Sequence, residues 1–202
     1  MKKSFIFICF LFVISAFGCG AQPPGYYWAV TTPANNVGRV IPIWVDNNFS
    51  EQDKLTLSDA INQWNYVLNG QITLDIVDTH FDMEDNKIKE AGNKGGWLFL
   101  KIDHNNPFIP STGPDLVTLA FADQIGGHTI FFVQDVMGQN RLPGVALHEI
   151  GHLLGAEHDS SGLMFPRYSA HGFSCVDELA MKEVAEFFHL DASRMNYCVN
   201  LQ

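Results

Sequence analysis

The sequence predicts an α+β fold in one domain, on three observations. Its apolar patterning runs strand, helix, several strands, then two helices, an order of segregated rather than strictly alternating elements. With 47% hydrophobic and 17% charged residues, the 202-residue chain can bury an ordinary globular core. No internal repeat or low-complexity tract divides it. The formal net charge of −10 leaves no electrostatic footprint for nucleic acid, and a monomer is expected.

The N-terminus reads as a targeting segment. Lys2 and Lys3 form a short basic region, and Phe5 to Phe17 is almost uninterruptedly apolar but short for a bilayer span. Gly18, Cys19 and Gly20 follow, so residues 1–18 are expected to be a signal peptide of bacterial type. Cys19 stands where a lipoprotein signal places its lipid-carrying cysteine, and ordinary cleavage nearby is the alternative. The expected location is therefore exported, as a cell-envelope lipoprotein or a secreted protein, with any membrane contact made through the lipid anchor. Residues 19–37, with Pro23, Pro24 and Pro33, read as a tether, and residues 38–202 as the folded domain.

Within that domain, Arg39 to Asp46 reads as a strand in which Pro42 marks an edge or a bulge. Ser50 with Asp53 predicts a helix start, and Leu57, Ala60, Ile61, Trp64, Val67 and Leu68 give that helix one apolar face. Gly70 ends it. Further strands are expected over Ile72 to Val77, Trp97 to Ile102, Leu116 to Ala122 and His128 to Gln134, with a surface loop between Val77 and Trp97. Pro143 suits the first turn of a helix that runs to about Leu154. A last helix is expected from near Ser174 or Cys175 to about His189, with Val176, Leu179, Ala180, Val184, Phe187 and Phe188 inward. Cys175 and Cys198 flank it and could form a disulfide in an oxidising compartment; two buried free thiols are the alternative.

The chemistry lies in residues 148–158, His-Glu-Ile-Gly-His-Leu-Leu-Gly-Ala-Glu-His. On a helix, residues four apart lie one above the other, so His148 and His152 can share a metal ion. Gly155 can adopt a left-handed conformation that turns the chain back and brings His158 to the same ion. Three neutral histidines with one open position suit a single catalytic zinc ion. Glu149, one residue round from His148, is placed beside the metal rather than on it, as a general base that takes a proton from water and passes it to a leaving amine. Average composition puts chance occurrence of the whole pattern on the order of one in 10⁵ chains of this size, so a helix that merely buries these polar groups is a poor account.

HEIGHLLGAEH resembles the long zinc motif of the metzincins, and Leu163-Met164-Phe165-Pro166-Arg167-Tyr168 is similar to the run that follows it in matrixins. The resemblance implies a metzincin-like fold with a mixed twisted sheet and three main helices, an active-site helix, and Met164 in a Met-turn below the metal. It implies a zinc metalloendopeptidase acting on protein or peptide substrates. It also implies an extended peptide held antiparallel to an edge strand, here Leu116 to Ala122 with Leu119 and Ala120. Pro166 and Tyr168 would line the pocket for the residue after the scissile bond. The Ala120-Phe121-Ala122 stretch lacks the histidine of the structural-zinc motif found in many matrixins, so only the catalytic zinc is expected; calcium stays open. Cys19-Gly20 lacks the arginine of a cysteine switch, so none is expected. Two rivals remain, a non-catalytic binding module on the same fold and a zinc hydrolase for non-peptide amides. An intact Glu149 argues against the first.

Overall fold

A computed structural model describes residues 38–82, 88, 91–111, 116–167 and 175–198. The proposed signal and tether, with Cys19, and the pocket residue Tyr168 lie outside the described residues. The strands are β1 (Arg39–Asp46), β2 (Ile72–Phe81), β3 (Trp97–Ile102), β4 (Ala120–Ala122) and β5 (Thr129–Val133). The helices are α1 (Glu51–Leu68), a one-turn α2 (Gln134–Met137), α3 (Leu142–Leu153) and α4 (Glu178–Phe188). The sheet order is β2-β1-β3-β5-β4, parallel throughout except for β4, which runs antiparallel to β5 at one edge. A mixed sheet with three main helices is the α+β arrangement expected.

α1 starts where the sequence places it. Ser50 accepts the Asp53 N–H, and Asp53 accepts from the Ser50 N–H, a reciprocal capping box. Its face of Leu57, Ala60, Ile61, Trp64, Val67 and Leu68 is buried against the sheet and α3. Asn69 and Gly70, both at positive φ, end it. β3 and β5 are buried on both sides, which explains their near-continuous apolar runs WLFLKI and TIFFV. One face packs on α1, α3 and α4, the other on Phe81, Ile88, Ala91 and Phe121.

Several elements differ from expectation. β5 is shorter by a residue at each end, and the stretch between Val77 and Trp97 is not all surface loop, since Ile88 and Ala91 are buried in the core. β1 is an interior strand, not an edge; β3 pairs with it only from Ile43 onward, so Pro42 lies beyond that ladder, and the register shifts just after it. β2 continues to Phe81, because pairing with β1 carries on past these shifts. β4 is only three residues long: β5 ends at Val133 and the chain turns into α2, leaving residues before Leu119 no strand to pair with. α4 starts at Glu178, capped by the Asp177 carboxylate. Its buried stripe is Ala180, Met181, Val184, Ala185 and Phe188, which turns Leu179 outward to 44% exposure.

Two side-chain amides finish the β2 side of the sheet. Asn65 accepts from the Leu74 N–H at 2.7 Å and donates to the Leu74 carbonyl at 2.8 Å, closing an outward-facing backbone pair on that edge. Gln71 engages the backbone N–H and carbonyl of Asp191, outside the sheet, in the same two-bond way, at 2.9 and 3.0 Å. Asn69 donates to the Arg194 carbonyl and Asn196 to that of Tyr66, so residues 190–198 form a strap across the end of α1. A disulfide joins Cys198 to Cys175, with Cα atoms 6.1 Å apart.

Candidate metal centre

α3 enters the core almost end to end: Leu142, Val145, Ala146, Leu147, Ile150 and Leu153 are all buried, with Pro143 in the first turn. His148 and His152 project from one side of it, ring centroids 4.7 Å apart. The helix ends in a Schellman motif. Gly155, at φ +93°, donates to the His152 carbonyl at 3.0 Å, and Ala156 donates to that of Gly151 at 2.9 Å. The reversal brings the His158 ring to 4.7 Å from His152 and 5.5 Å from His148. Among the described residues, these three are the one histidine, cysteine or carboxylate group placed to hold a metal, with one ligand atom from each inside a 4.8 Å span.

Each helix histidine is oriented by a carbonyl. The Nδ1–H of His148 donates to Leu163 at 2.7 Å, and that of His152 to Ala156 at 2.8 Å. A carbonyl can only accept, so both rings carry their proton on Nδ1 and present an Nε2 lone pair. Burial keeps them neutral, lowering His148 to about 4 and His152 to about 3, with repulsion between the two protonated rings adding to the latter. The Nε2 atoms of His152 and His158 stand 3.1 Å apart. Two nitrogens about 2.05 Å from a tetrahedral zinc are separated by about 3.3 Å, so the donor set fits that ion in type and protonation, and this pair fits it in spacing.

Glu149 is fully buried, and neither carboxylate oxygen has a hydrogen-bond partner. Burial raises its carboxyl to about 8, the nearby Ala122 N–H opposing the shift. Met164 is buried beneath α3: a Cβ on Gly151 would sit 2.7 Å from its Sδ, so the glycine between the two helix histidines is what lets it approach. Pro166 is half-buried and follows an exposed Phe165. Leu119 and Ala120 are buried on β4. The Leu119 carbonyl accepts from Val133 and the Asp123 N–H donates to Thr129, so by alternation the backbone groups of Ala120 and Ala122 face away from β5, in residues that are both buried. Leu119 spends its carbonyl on β5.

Two supporting residues escaped the sequence reading. The Trp64 indole N–H donates to the Leu147 carbonyl at 3.0 Å, tying α1 to α3 beside His148. Asp177 caps α4 with one oxygen and accepts the Leu163 N–H at 2.6 Å with the other. It thereby holds the turn whose carbonyl orients His148. Replacing Asp177 by Ala is expected to cost about 1–3 kcal/mol in stability and about tenfold in zinc affinity. Thermal unfolding of the metal-free protein and a competition titration read the two effects separately. An aspartate before an apolar stripe was the available signal.

The family model described as Matrixin matches residues 46–185, more than half of the chain. Among solved structures, metalloproteinase-II from Bacteroides fragilis is similar at a TM-score of 0.44 and 18% identity, over 80% of this chain. The chain spans about half of that protein, 54%. No curated protein matches the sequence.

Proposed function

Because the chain belongs to the matrixin family of peptidases, we propose that it is a zinc-dependent endopeptidase with His148, His152 and His158 as ligands and Glu149 as general base. The observation that carries this reading is the convergence of three neutral imidazoles beside a buried carboxylate with no hydrogen-bond partner. Zinc held there supplies Lewis-acid chemistry, acidifying a water and polarising a carbonyl.

The chain's own residues do the rest. Leu163 and Ala156 fix the two helix imidazoles by their Nδ1 protons, so no reorientation accompanies each turnover. Glu149 takes a proton from water and returns it to the leaving amine. The side of β4 that faces away from β5, at Ala120, is the proposed seat for an extended peptide, and Pro166 the proposed lining beyond the scissile bond. Met164 serves as the floor under the ligands.

We also propose export. Lys2, Lys3 and the apolar run Phe5 to Phe17 support a signal segment, and Cys19 its lipid attachment. The Cys175–Cys198 bond suits an oxidising compartment.

The test is cleavage of an unfolded protein such as casein. Activity is expected to disappear with a chelator and return on adding back one equivalent of zinc. Stoichiometric zinc binding without cleavage of casein or of a peptide library would favour the binding module instead.

A further inference from the structure

Phe187 lies off the buried stripe of α4, yet its ring has a defined seat. A Cβ on Gly155 would meet the ring's Cγ at 2.1 Å, and one on Gly126 would meet its Cζ at 2.4 Å. Both glycines are at positive φ, +93° and +67°, and they come from different parts of the chain. Gly155 closes the active-site helix, while Gly126 belongs to the turn between β4 and β5. Their N–H groups share one acceptor: Gly126 donates to the His152 carbonyl at 2.8 Å and Gly155 at 3.0 Å. The ring therefore covers a unit made of two turns and the backbone of the second ligand. Three residues beyond that unit is His158, the exposed member of the trio.

We propose that Phe187 is a positioning residue that holds the Gly155 turn in the conformation delivering His158 to the metal, an inference that rests on the zinc reading above. Glycine has the widest backbone freedom of any residue, so packing on the Gly155 turn restricts conformations that its two hydrogen bonds alone leave open. Without the ring, residues 155–158 sample other conformations and His158 is on the ion for a smaller fraction of the time. Apparent affinity falls in proportion to the fraction of protein competent to bind.

The experiment uses the full chain. Zinc affinity is measured by competition with a chromophoric chelator, and coordination by the visible absorption of the cobalt(II) form, which is strong for four ligands and weak for six. Phe187→Ala is expected to weaken zinc binding about tenfold or more and to reduce the cobalt absorption. Phe187→Leu keeps the carbon over Gly155 but not the reach to Gly126, and should weaken binding about threefold. Metal-free melting temperatures give the stability change separately. Wild-type zinc affinity and cobalt spectrum in Phe187→Ala, whatever its melting temperature, would overturn the proposal and leave the ring as packing. Should the Ala chain fail to fold, the Leu variant decides alone, and equal affinity there overturns the proposal too. A wild type that binds no zinc overturns the zinc reading itself, and this inference with it.

Discussion

Replacing Glu149 by Gln is expected to lower peptide-bond hydrolysis by about 10²–10⁴-fold while one equivalent of zinc still binds. The substitution keeps the shape of a fully buried side chain and removes only its ability to carry a proton. No proposed ligand is altered, since the group of side chains placed to hold a metal is His148, His152 and His158. The loss should fall on kcat more than on KM, because the role proposed for Glu149 is to move a proton and not to hold the substrate. Wild-type turnover in the Gln variant would place the proton shuttle elsewhere.

The second large effect is on stability. Opening the Cys175–Cys198 bond, by reduction or by changing both cysteines to Ser, should cost about 3 kcal/mol through the freed chain entropy of a loop this size. For a domain of this length that corresponds to a melting temperature lower by about 10 °C. The disulfide closes a separation of 23 residues and fastens the strap to the segment that precedes Asp177. The strap also keeps its own hydrogen bonds, from Gln71, Asn69 and Cys198 itself. An unchanged melting temperature would mean that these bonds suffice.

What could be read in the sequence was what local chemistry decides. The capping box of Ser50 and Asp53 announces α1, and the spacing of His148, His152 and His158 around Gly155 announces a metal centre. β3 has the expected bounds because its apolar run is closed by Gly95 and Gly96 on one side and by Asp103 on the other. What could not be read depends on partners distant in the chain. The length of β4 is set by where β5 stops, and the interior place of β1 by a strand order that no local pattern encodes. Asp177 looks like an ordinary cap until Leu163 is seen beside it, and Phe187 looks like one more core residue until two glycines meet its ring.

The amide of Asn65 has a consequence beyond tidying β2. An unpaired sheet edge invites any extended chain to add itself, and in crowded solution that invitation leads to stacking and fibres. Here both backbone groups of Leu74 are already engaged by Asn65, so β2 presents one fewer outward-facing pair to a passing strand. For this architecture, the route to open-ended aggregation through β2 is narrowed by a side chain lent from the neighbouring helix.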